Sequence, residues 1–357
     1  MALPTRKRGR RGLVTVNWKI MAFRSAIVRR LGLLVLGLAV AAGGFETWRV
    51  ATPTAALADG PRVVDIPAQE GVLAIARRLR DAEVVSSAEA FVALGMLRGS
   101  ARALRAGEYE FPQGTTTLMA LRLLESGKAR LHPVLHPEGA TLAELARIME
   151  QQQLAPAAEI LRAASDPVFL RSVGVEGASL EGYIFPDTYH FTRGLTAEQM
   201  LARTVQRLRA KLTPEIVERA RARGLGVHEL LTLASIIERE AVVRDERRLI
   251  SAVFWNRLQL GMPLQADPTV QYAVGKERRA LTRVDLATDH PFNTYTRVGL
   301  PPGPIASPGL AAIEAALDPA PVTYLYFVAS DDQRHHFSTT VAEHNAAVAR
   351  YRLARSR

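Results

Sequence analysis

The stretch LGLLVLGLAVAAGGF, residues 31–45, holds no charged residue and follows directly on Arg29-Arg30. No other segment limits the possible folds of this chain so tightly. A run this apolar beside cations is a lipid-buried helix, a removable leader, or a core helix. Fifteen residues fall short of the roughly 20 that span a bilayer at 1.5 Å each. The stems of Arg29 and Arg30 and the indole of Trp48 lengthen it by sitting at the two interfaces. Residues 1–30 carry nine basic side chains and no acidic one, which orients that end toward the cytoplasm and the rest of the chain outward. A cleaved leader has candidate A-x-A sites at Ala56-Leu57-Ala58 and Ala39-Val40-Ala41. Against it, the basic region is long and the first of these sites is remote. A core helix sits poorly beside nine positive charges. The expectation is therefore a basic cytoplasmic tail at 1–30 and a single membrane-spanning helix at 31–48, with the body on the outer (periplasmic) side of the cytoplasmic membrane.

Beyond residue 30 the chain has 37 basic and 35 acidic residues. That balance offers no basic face for nucleic acid. The absence of cysteine excludes disulfide scaffolds, thiol nucleophiles and iron–sulfur ligation. Phosphate-binding glycine loops and serine-nucleophile elbows are missing. His228-Glu229 does not continue into a zinc motif, and His335, His336 and His344 read as a hydrogen-bonding cluster. No metal and no cofactor is expected.

Residues 49–61 are rich in Ala, Thr and Pro and read as a linker. A strand–helix–helix–strand unit follows at 62–130, and a larger mixed unit at 131–357, so the fold class is α+β. In the larger unit the pattern predicts a capped helix after Thr141, a long helical stretch at 196–223, and a helical hairpin at 228–241 and 245–260. After Gly261 come loop-rich segments, a helix at 309–317, a strand in VTYLYFVAS with RHHFSTT as its partner, and a last helix.

Two features carry chemistry. On the helix containing ASIIERE (234–240), Leu230, Leu233, Ala234, Ile237 and Ala241 form an apolar stripe, widened by Leu231 and Ile236. Glu238 and Glu240 flank it on opposite edges. Desolvation at such an edge raises a carboxyl pKa and equips it as a general acid. The competing reading is an edge-of-core glutamate paired with Arg239, Arg247 or Arg248, and the projection does not choose between Glu238 and Glu240. The second feature is a pair of rigid polar loops, Asp267-Pro268-Thr269 and Asn293-Thr294-Tyr295 leading to Gly299–Gly303, whose aromatics, amides and hydroxyls suit carbohydrate.

The blocks LEGYIFPDTY (180–189), LASIIERE (233–240), VFWNRL (253–258), MPLQADPTVQY (262–272), FNTYTRVGLPPGPIASPG (292–309), YLYFVA (324–329) and HHFSTTVAEHNAAV (335–348) together resemble the YceG-like (MltG) family of membrane-anchored endolytic murein transglycosylases. The likeness runs more weakly to about residue 64 through IPAQEGVLAIARRL, RAGEYEF and LHPEGATLAELA. It implies a LysM-like unit at 62–130 and a YceG-like catalytic domain at 131–357. The catalytic acid falls on Glu238, the first glutamate of its block. Tyr183, Gln265, Asp267, Thr269, Asn293 and Tyr295 hold substrate, while Glu240, His336, Glu343, His344 and Asn345 brace the site. The implied partners are peptidoglycan glycan strands, the cytoplasmic membrane and peptidoglycan synthases. The implied reaction cuts the MurNAc–GlcNAc β-1,4 bond. The acid protonates the departing oxygen, and its carboxylate then takes the proton of the muramic C6 hydroxyl as that oxygen closes on C1. A 1,6-anhydro end results, and glycan elongation terminates. Two rivals stand beside it: a non-catalytic peptidoglycan-binding scaffold, and a hydrolytic muramidase with Asp267 or Glu240 as second carboxylate.

Overall fold

The computed structural model describes residues 18–52, 60–241, 243–276, 278–330 and 334–355. Helix α1 covers Trp18–Ala51; its described side chains are those of Arg29, Leu31–Phe45 and Thr47. The tail 1–17 and the interfacial side chains of Arg30 and Trp48 lie outside the described residues. Among the described residues no helix is long and apolar enough to cross a membrane. The expected span at 31–48 is corrected to that extent: the uncharged run of fifteen residues reaches only about 22 Å at 1.5 Å each. Its leucines and valines are exposed on every face of α1, Leu33 at 69% and Val40 at 67%.

The chain divides into two compact units, residues 1–128 and 129–357. In the first, strands β1 (Arg62–Ile66) and β2 (Gly107–Phe111) pair antiparallel. Between them come helices α2 (Val72–Asp81) and α3 (Ala88–Leu97), and α4 (Thr117–Ser126) follows. Ser87 caps α3 and Thr116 caps α4, each accepting a backbone N–H two or three residues into the helix. Ile66, Leu79, Phe91, Tyr109, Phe111 and Leu121 close the core.

The second unit opens with β3 (His132–His136), which pairs antiparallel with β4 (Asp187–Phe191). Helices α5 (Leu142–Gln151), α6 (Ala157–Ala163) and α7 (Pro167–Ser172) lie between them in sequence. Thr141 and Glu144 form the anticipated capping box on α5. The long helix expected at 196–223 is two: α8 (Ala197–Lys211) and α9 (Pro214–Ala222). Pro214 lacks the N–H that a continuing helix needs and suits a first turn, while Thr213 accepts from Ile216 N and caps the new start.

Helix α10 (Val227–Glu240) runs through the core, with every residue from Leu230 to Ile237 buried. An apolar circumference on a helix means neighbours on all sides. Those contacting it include α11 (Arg247–Gln259), the short α12 (Asp267–Ala273) and α14 (Leu310–Leu317). Helix α12 and the one-turn α13 (Arg283–Leu286) occupy stretches expected to be loop. Pro268 within the first turn and the Thr282–Asp285 capping box supply their starts. Strands β5 (Tyr326–Ala329) and β6 (His335–Ser338) form a hairpin, and α15 (Val341–Arg355) ends the described chain.

One glycine fixes how the chain turns before the site. Gly182 has φ +76°, and a Cβ there would collide with the Pro304 ring. Gly182→Ala is expected to cost about 2 kcal/mol through strain and overpacking, and to lower the melting temperature by about 4–8 °C. An unchanged melting curve would show that the 300–309 segment yields freely.

Candidate active site

The C-terminal end of α10 opens into a cavity of about 450 Å³ lined by Glu138, Gly139, Glu238, Arg239, Glu240, Asp267, Pro268, Gln271, Arg278 and His335. Its walls come from distant parts of the chain. Glu138 and Gly139 lie in the turn between β3 and α5. That turn is pinned to the 300–309 segment: Gly139 N donates to Ser307 O, and Ser307 N to Ala140 O, both at 2.9 Å. His136 Nε2 and Ser307 Oγ share a buried 2.8 Å hydrogen bond. The same segment is tied to α10, since Ile305 N donates to Ser235 Oγ at 3.1 Å.

The two glutamates on α10 have opposite surroundings. Glu238 Oε1 accepts from Arg247 Nη2 at 2.9 Å, and its Oε2 accepts from Gly309 N at 3.0 Å. Both members of this ion pair are buried, with 9% and 5% of their side-chain surface exposed. Glu238 is thus an ion-paired carboxylate with both oxygens engaged. Arg247 is among the partners that the sequence offered for a glutamate at this edge. Among the described residues Glu240 makes no such ion pair. Burial and the neighbouring Asp267 carboxylate push its pKa up to about 8, against smaller opposing effects of Arg239 and a backbone hydrogen bond from Asp267. At neutral pH Glu240 holds a proton.

Asp267 stands at the start of α12, and the Tyr295 hydroxyl donates to its Oδ1 at 2.5 Å. Burial and that carboxylate hold the Tyr295 phenol well above its ordinary range, so Tyr295 acts as a donor that stays protonated. Gln265 adopts φ +51°, a left-handed backbone unusual for a non-glycine, and its Oε1 accepts from Arg257 Nη1 at 3.1 Å. Two other expected contacts are internal braces. Thr269 is fully buried and bonds Ala266 O and Thr294 Oγ1. Asn293, also buried, donates to Leu286 O and Thr288 O and accepts from Tyr295 N. Both shape the loop from within, because their polar atoms are already spent on protein.

Tyr183 is elsewhere. Its hydroxyl bonds His228 Nδ1 at 2.8 Å, with His228 Nε2 donating to Pro302 O. It lines a separate cavity of about 510 Å³, with Val175, Leu208, Arg209 and Leu225. His228 and Glu240 are twelve residues apart on α10, about 18 Å along its axis. The larger cavity is mostly apolar, and the carboxylates of Glu138, Glu238, Glu240 and Asp267 line the smaller. Glu343 caps α15 by accepting from Thr339 N and Thr340 N, and His344 stacks on Tyr326 at 5.2 Å. His336, Glu343, His344 and Asn345 do not line the cavity of Glu240. Among the described residues no group of acidic and histidine side chains is arranged to hold a metal.

Sequence reasoning missed Glu138, Gln271, Arg278 and His335 as cavity residues. The glutamates of the α10 stripe and the loop density at Asp267 pointed toward this place; the turn carrying Glu138 has no local signature of chemistry.

The YceG-like family profile matches residues 64–350. The chain belongs to this family. It is 33% identical to the endolytic murein transglycosylase of Bacillus subtilis (strain 168) over 303 residues, covering 81% of this chain and 84% of that protein. A relative from Streptococcus pneumoniae serotype 2 (strain D39), also an endolytic murein transglycosylase, is 31% identical over 70% of this chain and 51% of its own length. The crystal structure of a yceG-like protein from Listeria monocytogenes superposes with a TM-score of 0.57 at 34% identity, covering 80% of this chain and 99% of that one. In this YceG-like chain, the α10 carboxylates, Asp267 and Tyr295 all fall inside the matched region.

Proposed function

We propose that this chain is an endolytic murein transglycosylase whose general acid is Glu240. The observation that carries the assignment is geometric: Glu240 and Asp267 line one cavity, while both oxygens of Glu238 are held by Arg247 and Gly309; burial, which pushes the Glu240 pKa up, agrees with it. Glu240 gives its proton to the β-1,4 oxygen leaving C1 of the muramic sugar. Asp267, kept in place by Tyr295, faces the positive charge that grows on C1. The sugar's own C6 hydroxyl closes on C1 to leave a 1,6-anhydro end, and its proton passes to a base in the cavity. Intramolecular attack by a held hydroxyl has a large effective concentration, so the reaction requires no second carboxylate to activate water. A muramidase would need such a group beside a water, and Asp267 is already bonded to Tyr295.

The test is digestion of purified sacculi by the full chain and by its Glu238→Gln and Glu240→Gln variants, with muramic ends scored by mass spectrometry. Anhydro ends from wild type and Glu238→Gln, and none from Glu240→Gln, are expected. Reducing ends would indicate hydrolysis, and binding without new ends would indicate the scaffold.

The N-terminal region fits this role as an anchor. An apolar helix exposed all round needs lipid or a partner, and the basic residues preceding it favour the cytoplasmic face. Held there, the body meets strands as their synthases release them. The strand–helix–helix–strand unit has the element order of a LysM-like module and is read as a glycan-holding domain. Leu36→Arg, at an exposed position of the run, costs nothing in water but about 3 kcal/mol at a bilayer centre. It is expected to shift the chain from the carbonate-resistant membrane pellet toward the supernatant. Recovery of the wild type without residues 31–45 would establish a cleaved leader instead.

A further inference from the structure

A helix on the surface of a soluble unit turns an apolar stripe inward and polar residues outward. Helix α3 (AEAFVALGML) does not, since Glu89 alone in it carries a charge. Ala88, Phe91 and Gly95 fill its core side, and the outward side is apolar as well. Met96 is 64% exposed and Leu97 86%, with Ala93 exposed and Leu94 half-buried one turn earlier. Leu97 is the most exposed large hydrophobic side chain among the described residues. A contiguous apolar face of this kind marks a site of association.

That face adjoins the end of α1. Helix α1 contacts both α3 and α4. Thr47 lines a mostly apolar cavity of about 480 Å³ together with Ala90, Ala93, Leu94 and Leu97. Thr47 lies just past Phe45, the last residue of the uncharged run, at about 3 Å further along the axis. Arg98, Arg102 and Arg105 follow the apolar face in sequence and are exposed; Arg98 also reaches Glu125 at 3.6 Å. Apolar residues bordered by cations match the boundary where acyl chains meet anionic headgroups. The uncharged run covers only about 22 Å of a hydrocarbon layer about 30 Å thick. A span that short is accommodated by local thinning and by flanking groups that reach the interface, and α3 supplies such a flank at the outer end.

We propose that the outward face of α3 lies in the outer leaflet of the membrane that holds α1, with a phospholipid acyl chain in the cavity between the two helices; this inference rests on the anchor reading above. Ala90 and Ala93 keep that groove open, because neither side chain reaches across it. The rival occupant is a second copy of this chain. Depth favours lipid: a face within one turn of the end of the run stands at the headgroup–acyl boundary, where phospholipid surrounds it before any protein partner arrives. So seated, the first unit is fixed at the membrane surface rather than free to swing on the end of α1.

The chain has no cysteine, so one introduced thiol takes one nitroxide label. The full-length variants Leu36→Cys, Leu97→Cys and Val284→Cys are labelled and reconstituted in vesicles of phosphatidylethanolamine and phosphatidylglycerol. All three positions are exposed, at 60%, 86% and 79%, so the label displaces no core packing. Power saturation then compares relaxation by oxygen, which concentrates among acyl chains, with relaxation by a water-soluble nickel chelate. Oxygen is expected to act more strongly than the chelate on the labels at 36 and 97, and the order is expected to reverse at 284, the exposed reference on the second unit. A label at 97 that the chelate relaxes more strongly, while 36 reports lipid, overturns the proposal and leaves the anchor in place. A label at 97 shielded from both agents overturns it as well, and spin–spin broadening there identifies a second copy. A label at 36 that reports water removes the anchor reading, and the lipid seat of α3 with it.

Discussion

Glu240→Gln is expected to yield a more stable protein that no longer cleaves glycan. The folded carboxyl titrates near 8, against an ordinary value of 4.5. Between those values the native state keeps a proton that the unfolded chain has released, so stability falls as pH rises through the window. Glutamine has nothing to release. The gain is therefore absent near pH 4, grows through pH 5–8 and then levels off. Each pKa unit corresponds to about 1.4 kcal/mol, and allowing for partial solvent access the difference at pH 8 is about 2–3 kcal/mol. For a body of this size that raises the melting temperature by about 5–10 °C, while loss of the acid removes about a thousandfold in rate. Thermal unfolding of both forms from pH 4 to 9, beside the sacculus assay, measures both. A stability difference independent of pH, or retained cleavage, would place the acid elsewhere.

Glu238→Ala is expected to do the reverse. It strips the buried Arg247 of its closest counter-ion, leaving the half-exposed Glu138 at 3.7 Å, and Gly309 N of its acceptor. An unpaired interior charge costs about 3–5 kcal/mol, enough to lower melting by about 10 °C or more. Replacing Glu238 by Leu and Arg247 by Met together is expected to recover most of that loss, because two apolar groups carry no desolvation penalty. Activity per folded molecule should fall far less than in Glu240→Gln. Full stability with abolished cleavage would restore Glu238 as the acid, as the family likeness alone implied.

The two glutamates show what periodicity can and cannot resolve. The stripe at Leu230, Leu233, Ala234 and Ile237 correctly places α10 in the core and both carboxylates at its exit. Choosing between them depends on Arg247 and Asp267, which meet the helix end only after α11 and α12 fold back. Asn293 and Thr269 mislead for a related reason: polar residues in a rigid loop attract a binding role, but here their atoms hold the loop itself. Tyr183 sits in a block with a strong family likeness yet faces His228, because Gly182 turns the chain against Pro304. The break at Thr213-Pro214 was readable in principle from capping chemistry. The Glu138 and His335 contributions were not, since nothing local marks a residue that becomes significant only by contact across the fold.

The cavity is bounded at one extreme by Glu138 and at the other by His335, nearly two hundred positions later. A ribosome delivers these walls in order, so a growing chain has every α10 carboxylate long before it has a complete site. The cavity's last wall arrives only when the final hairpin clears the exit and His335 bonds Glu246. A chain that ended short of the hairpin would carry both α10 glutamates and lack the His335 wall of the cavity.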